Sequence, residues 1–400
     1  MKIFFMCTHP NQGTGYARVA NKITNYLANL PGVEVVYYAF QNYPGQAIED
    51  RFIDPRIKFY DAMELDPVSP KGFGDAGMIP ALIEEKPDVL FLYNDLPVTS
   101  SILNLIPQEH MPPTKYVYLD LVYEWEKIEY FNTLKSYNVD TIWVFLECWK
   151  THMVQDLGFD ASQIEVLPHG VDFERFKDLD TEKCRVDMGF KKDDYIVVNM
   201  NRNSYRKQWC VTIKAFLSFL QEQHMNPNIK LYCGCMLKTR DGYSLPDTIE
   251  LECIRRGMDP ATVLNNHIFI NPKPLTLTDE SVNIIYNIGD VGMNTCCGEG
   301  FGLTTVEHAY FNRPQIVSGV PALKETLGRF AHVVEPKLYT TVSSFESHAG
   351  DIAVVDYRDF TTYLHDCFEN REKTLDSRSY IRDTYSWENV YKVLEPHFIK

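Results

Sequence analysis

The stretch Cys297-Gly298-Glu299-Gly300-Phe301-Gly302-Leu303-Thr304-Thr305-Val306-Glu307 decides how the rest of the chain is read. It places three glycines within five residues, one carboxylate among them and a second eight residues further on. Upstream, Val291–Asn294 is a short apolar run of the kind that forms a buried strand. Downstream, Leu303 onward has a helical pattern. The glycines therefore sit in a strand-to-helix turn, where Gly298, Gly300 and Gly302 permit sharp turning and close approach of a ligand. Amides near Gly302, Leu303 and Thr304 point out of a helix N-terminus and suit an anion. Taken singly, Glu299 reads as a loop charge and Glu307 as a partner of the helix dipole. Taken together, two carboxylates flanking an anion-binding helix start suit two polyols joined through phosphate, because an ionised carboxylate accepts paired hydrogen bonds from a diol. Hexose, diphosphate and ribose in that order make a nucleotide sugar.

Outward from this turn, the whole chain alternates strand and helix. Ile3–Cys7, Val33–Phe40, Asp88–Tyr93, Tyr116–Leu119, Thr141–Phe145 and Val166-Leu167 read as strands of a first set. Tyr16, Val19, Ala20, Ile23, Tyr26, Leu27 and Leu30 repeat at helical spacing, and Pro31-Gly32 ends that helix. Trp149–Leu157 reads as another helix. After the turn-rich Pro168-His169-Gly170-Val171-Asp172 the alternation restarts with strands Tyr195–Met200, Ile229–Cys233, His267–Ile270, Val291–Asn294 and Gln315–Ser318, and a helix over Cys210–Gln223. Such alternation predicts parallel sheets covered by helices on both faces. Seen twice, it predicts an α/β protein of two Rossmann-like domains, with ligands at the carboxyl ends of the strands and a deep cleft between the domains. Residues 1–170 form the first domain and 171–382 the second, and the terminal segment 383–400 is helical. Gln41–Asp75, rich in Pro, Gly and Asp, reads as loop.

The 400 residues exceed one comfortable core, consistent with two domains. A net charge of −15 disfavours nucleic acid and anionic lipid as general partners. No run approaches the roughly 18 apolar residues of a membrane span. The apolar start Met1–Cys7 is shorter than a signal peptide needs and reads as a buried strand. Ten cysteines include no Cys-x-x-Cys pair and no zinc-ligand spacing, so they read as reduced buried thiols of a cytoplasmic protein.

Three further clusters bear on chemistry. Asn201-Arg202-Asn203-Ser204-Tyr205-Arg206-Lys207 follows a predicted strand at its carboxyl end. Cations at a helix start oppose the macrodipole unless an anion sits there, which favours phosphate over a merely solvated turn. Gly13-Thr14-Gly15-Tyr16-Ala17-Arg18 invites the dinucleotide fingerprint, but Arg18 stands where the third glycine must be, so an oxidoreductase is disfavoured. Asp120 ends a strand of the first domain and reads equally as a cleft-facing carboxylate or as a cap. His9, His110 and His169 are not spaced as metal ligands, and a histidine following proline in a hinge reads as structural.

With these residues in view, the chain resembles the GT-B glycosyltransferases, specifically the large retaining family numbered four. Glu299-Gly300-Phe301-Gly302-Leu303-Thr304-Thr305-Val306-Glu307 matches that family's E-G-F-G-L-x-x-x-E signature. Arg202 and Lys207 stand at the spacing of its phosphate-binding pair. Gly13 and Gly15 resemble its N-terminal glycine loop, Pro168–Asp172 its linker, and Ser386-Trp387-Glu388 the start of its last helix. The sequence departs from the pattern at Asn201 and Asn203, and it has no histidine near Tyr118–Leu121, where many members carry one.

The resemblance implies roles. Arg202 and Lys207 would bind the diphosphate, Glu299 the donor sugar and Glu307 the ribose. Gly300, Phe301, Gly302, Leu303 and Thr304 would line the donor site, with Gly13, Gly15 and Asp120 contributing from the first domain. The terminal helix would pack back on the first domain, which takes the acceptor. The implied reaction is metal-independent hexosyl transfer with retention, by front-face substitution in which the leaving phosphate assists. GDP-mannose and UDP-glucose are the two donors weighed, and Lys273, placed to reach a base carbonyl, favours GDP-mannose. A glycan or glycoprotein is the expected acceptor, with peripheral membrane contact left open. An epimerase or phosphorylase on the same fold, and a non-catalytic nucleotide-sugar binder, are the competing readings.

Overall fold

A computed structural model describes residues 1–43, 51–271, 277–344, 347–371 and 375–399. The chain divides into two compact units. One comprises Met1–Gly170, Ser347–Gly350 and Trp387–Lys400; the other comprises Val171–Glu346 and Asp351–Ser386.

The first unit is built on seven parallel strands: β1 (Lys2–Thr8), β2 (Glu34–Phe40), β3 (Lys58–Asp61), β4 (Val89–Asp95), β5 (Thr114–Asp120), β6 (Thr141–Val144) and β7 (Ile164–Val166). Their order across the sheet is β3-β2-β1-β4-β5-β6-β7. Ile3, Phe4, Phe5, Met6 and Cys7 are all fully buried, as a strand covered on both faces must be. The order reverses between β1 and β4, so the loops after those two strands flank the switch point where such sheets bind ligands. Beside it, His169 is buried with Tyr118 Oη 2.7 Å from its Nδ1 and Tyr93 Oη 3.3 Å from its Nε2. Burial, and after it the charge of Arg18, pushes its pKa down to about 3. It is a neutral core histidine that ties the end of β7's segment to β4 and β5.

The C-terminal helix Trp387–Leu394 belongs to this unit. Tyr391 stacks on Tyr26 with centroids 3.8 Å apart, and Phe398 lies against Phe91 and Tyr116. Trp387 covers Gly170 so closely that a β-carbon there would sit 2.4 Å from the indole.

The second unit carries six parallel strands: β8 (Tyr195–Asn199), β9 (Ile229–Cys233), β10 (Ile268–Ile270), β11 (Val291–Asn294), β12 (Gln315–Ser318) and β13 (Ala331–Val334). The order is β10-β9-β8-β11-β12-β13, so its switch point falls between β8 and β11. Two further strands, β14 (Leu338–Val342) and β15 (Gly350–Val354), make a separate two-stranded sheet. Trp209, Ile213, Phe216 and Leu220 of the helix Trp209–Glu222 bury one face against β8, β9 and β11. That i, i+4, i+7, i+11 stripe is what its sequence pattern predicts.

Three expectations need correction. Gln41–Asp75 is not all loop: β3 and a short helix, Ala62–Leu65, lie within it. Trp149–Leu157 does not form one regular helix; an α-helical turn, Glu147–Thr151, passes into a π-helical segment, His152–Asp156. The terminal helical region is two helices, Ser377–Thr384 and Trp387–Leu394, separated at Tyr385-Ser386. Overfilling the contact at Gly170 should be costly: Gly170→Ala is expected to lower stability by about 1–3 kcal/mol, read as an earlier denaturant midpoint.

Candidate active site

The loops after β8 and β11 meet at the second unit's switch point. The loop after β8 ends in a short 3-10 turn, Tyr205–Lys207, and Gln208 then takes a left-handed conformation with φ +47°. The loop after β11 runs from Thr295 to Gly302 and opens the helix Leu303–Ala309. Gly302 has φ +87°, and a β-carbon there would lie 2.4 Å from Leu323 Cδ2. Glycine is required at that position for both backbone and space.

Backbone and side-chain bonds join the two loops. Cys297 N–H donates to the Arg206 carbonyl at 2.9 Å. The Thr295 hydroxyl lies 3.0 Å from the Lys207 carbonyl and 3.2 Å from that of Gln208. These contacts bring Lys207 onto Glu299: the ammonium and the carboxylate form a direct ion pair, with only 9% and 11% of the two side chains exposed. Arg206 reaches the same group, its Nη1 standing 3.4 Å from Glu299 Oε1 and donating to the Gly298 carbonyl at 2.9 Å. Asn294, fully buried at the end of β11, donates to Thr305 Oγ1 at 3.0 Å and stands 3.5 Å from Glu299 Oε2. Burial alone would raise the Glu299 pKa. Lys207 and then Arg206 outweigh it by charge, and hydrogen bonds from Lys207 and Asn294 add to them, so the group falls to about 2. Glu299 is thus a permanent carboxylate at neutral pH.

Glu307 lies on the buried side of the same helix. Its Oε2 accepts from Tyr286 Oη at 2.9 Å, and Arg175 Nη1 stands 3.9 Å from Oε1. The first intrahelical bonds come from Thr305 and Val306, both donating to the Gly302 carbonyl. Amides of the preceding residues have no acceptor within an α-helix, and Leu303 and Thr304 are partly exposed. Gly300 and Phe301 are buried, and Phe301 meets Tyr385 edge-on at 5.1 Å.

The structure therefore gathers Lys207, Glu299, Gly300, Phe301, Gly302, Leu303, Thr304 and Glu307 around one turn. Arg202 differs. Its side chain is 71% exposed and pairs with Asp241, and it is Arg206 that reaches Glu299. Arg206 was legible as a cation but not as the one facing inward, because a 3-10 turn decides which side chains converge. Asn294, Tyr286 and Arg175 carry no motif signal; only the fold brings them in. Gly13, Gly15 and Asp120 belong to the first unit. There, Gly13 is exposed, Thr14 Oγ1 caps the helix Gly15–Leu27 by accepting from Ala17 N–H, and Asp120 Oδ2 accepts from Tyr16 Oη at 2.6 Å. Lys273 lies outside the described residues. Among the described residues no group of three or more His, Cys, Asp or Glu is arranged to hold a metal ion, and no helix is long and apolar enough to cross a membrane.

The chain matches no protein-family model and no curated protein in sequence. Solved structures are similar over its full length. Sucrose-phosphate synthase from Thermosynechococcus elongatus superposes with a TM-score of 0.70 at 12% identity, covering 100% of this chain and 98% of that one. Anabaena HepE in complex with UDP-glucose gives 0.71 at 15% identity, covering 99% of each chain. WaaG, a glycosyltransferase involved in lipopolysaccharide biosynthesis, gives 0.66 at 13% identity, covering 100% of this chain and 98% of that one. The class of fold is thereby established as GT-B: two Rossmann-like α/β domains, each on a parallel sheet.

The buried pair makes a specific energetic demand. Lys207→Met should destabilise the protein by on the order of 3 kcal/mol, because Glu299 stays buried with one cation fewer. Adding Glu299→Gln to that variant should cost less than the two single changes summed, by about 1 kcal/mol or more in a double-mutant cycle of unfolding free energies.

Proposed function

We propose that this protein is a glycosyltransferase that moves a hexose from a nucleotide diphosphate sugar to a hydroxyl of a glycan or glycoconjugate. The observation that carries the reading is the convergence of Lys207 and Arg206 on Glu299 beside the helix start at Gly302. Two cations and a set of outward amides are what a diphosphate requires. Glu299 and Glu307, on either side of them, are what the hydroxyls of sugar and ribose require. The complex of Anabaena HepE with UDP-glucose is in keeping with a donor of this class.

In the free protein Lys207 is held by Glu299. A diphosphate entering the turn offers the cations a second anion, while the Glu299 carboxylate keeps its Asn294 contact and turns its open lone pairs to sugar hydroxyls. As the bond between anomeric carbon and phosphate oxygen lengthens, negative charge builds on that oxygen. Lys207, Arg206, Arg202 released from Asp241 and the amides of Leu303 and Thr304 stabilise it without a metal ion. Glu307, held by Tyr286 and Arg175, is placed for the ribose rather than the anomeric carbon, so the two glutamates do not suit a nucleophile–acid pair of the glycosidase kind. The resemblance to the retaining family supports retention by front-face attack, with the departing phosphate oxygen taking the proton of the acceptor hydroxyl. Gly13, Gly15 and Asp120 are the first unit's own sugar-contacting residues in this reading.

The base is the open choice. Lys273 argues for guanine by sequence position alone, and the HepE complex argues for uracil. Thermal shifts with UDP-glucose and GDP-mannose decide it, since a ligand at 100 times its Kd stabilises by about 2.7 kcal/mol. The expected outcome is a shift with one of them, nucleotide release that rises with a glycan mixture as acceptor, and release unchanged by EDTA. Lys207→Ala is expected to lower the release rate by about 10²–10³-fold. Binding without release, or a Lys207→Ala variant at full rate, contradicts the proposal.

A further inference from the structure

The loop that follows β5 in the first unit, Leu121–Lys127, presents one large aromatic side chain to solvent in a conformation that the chain does not adopt for its own sake. Trp125 is 45% exposed, and its backbone is left-handed with φ +58°. A bulky residue there is strained, and such strain persists only where surrounding contacts impose it. Leu121, Val122 and Tyr123 just before it are buried.

Three sets of contacts hold the loop. Trp125 N–H donates to His152 Nε2 at 3.1 Å, and the indole meets the imidazole edge-on at 5.3 Å and 80°. Since Nε2 accepts, Nδ1 carries the proton, and it donates to Asp156 Oδ2 at 2.8 Å. His152 and Asp156 begin and end the π-helical segment, an irregularity often retained at functional sites. Glu126, fully buried, accepts from Val122 N–H at 2.9 Å and Tyr123 N–H at 3.3 Å, and its other oxygen lies 2.8 Å from His348 Nδ1. Gly350 closes the third side: a β-carbon there would lie 2.7 Å from the Glu124 carbonyl and 2.8 Å from Tyr123 Cβ. A buried histidine paired with an exposed aspartate, a buried glutamate and a close glycine contact all support a loop whose central side chain is 45% exposed.

We propose that Trp125 is a stacking platform for a pyranose ring of the acceptor glycan. The loop leaves the carboxyl end of β5, the edge at which parallel sheets bind ligands. A single indole face offers a sugar's C–H surface a flat partner of negative quadrupole. On either side, Glu124 and Lys127 are partly exposed and supply an acceptor and a donor for hydroxyls. An aromatic plate flanked by Glu124 and Lys127, with Ile128 exposed just beyond, suits an amphipathic sugar. The inference rests on the glycosyltransferase reading for the identity of its ligand as a sugar, and on the strained, supported Trp125 for its place.

The test uses the full chain and three probes: maltotriose, cellotriose and mannotriose. Trp143, Trp149 and Trp209 are fully buried and Trp387 is partly exposed, so a saturable change in tryptophan emission that is lost in Trp125→Phe reports this ring in the wild type, and affinities of wild type and both variants are compared by isothermal titration calorimetry. Trp125→Gly removes the ring while accepting the left-handed backbone, so the loop is not strained by the change. The expected result is that at least one trisaccharide binds the wild type, that Trp125→Phe stays within about threefold of it, and that Trp125→Gly weakens binding at least about tenfold. Affinity for UDP-glucose or GDP-mannose stays the same in both variants. Equal trisaccharide affinity in Trp125→Gly and wild type, or no binding of any of the three, overturns the platform. Failure of both nucleotide sugars to bind the wild type overturns the donor reading and leaves the platform to be judged by the trisaccharides alone.

Discussion

The ion pair between Lys207 and Glu299 is the constraint on which the second unit's site depends. Both charges are nearly enclosed, and an enclosed charge is tolerable only with a partner and with hydrogen bonds for its remaining valences. Arg206 and Asn294 meet that need for Glu299, and the Gly298 carbonyl accepts from Arg206 and fixes it in place. The loop after β8 cannot move without stranding Glu299, and the loop after β11 cannot move without stranding Lys207. Two connections that would otherwise be variable surface thus become a single shaped turn. The helix from Leu303 inherits its direction from that turn, through a glycine that no other residue replaces without meeting Leu323.

The first unit uses a different device at the corresponding edge. Its switch region is aromatic and largely uncharged at the core, with His169 kept neutral between two tyrosines. Carboxylates stand at the strand ends and just beyond: Asp95 caps the helix Leu96–Leu105, Asp120 takes the Tyr16 hydroxyl, and Glu126 organises the loop after β5. One sheet therefore ends in a charged turn, and the other in carboxylates, a tyrosine hydroxyl and a loop with an exposed indole. That difference follows from which side chains end each strand.

Much of this was legible in the sequence, for a physical reason. Parallel strands covered on both faces are largely apolar runs without strict alternation, and Ile229–Cys233, Val291–Asn294 and Gln315–Ser318, polar at only one or two positions each, coincide residue for residue with β9, β11 and β12. β3 escaped because an edge strand need not be apolar: Lys58 and Asp61 bracket it, and charge at an edge guards against aberrant pairing. The π-helical turn escaped because its residues keep a helical periodicity while its hydrogen bonds widen, with Leu157 N–H reaching the His152 carbonyl. At the candidate site the glycines and glutamates announced themselves by spacing. Which of Arg202 and Arg206 faces inward depends on the geometry of one short turn, and the supporting Asn294 and Tyr286 come from strand and helix positions with no motif of their own.

The central claim is that Glu299 is a buried carboxylate held ionised by Lys207 and Arg206, and its own titration tests this most directly. A depressed carboxyl pKa contributes stability that is fully present above the unfolded value of about 4.5 and is lost as pH falls through the folded value of about 2. Carbon-13 NMR of glutamate-labelled protein, with Glu299→Gln used to assign the resonance, follows that carboxylate alone. The account predicts that it remains ionised down to about pH 2 or to the onset of acid unfolding, whichever comes first. A midpoint near the ordinary value for glutamate, in protein that is still folded, would contradict it.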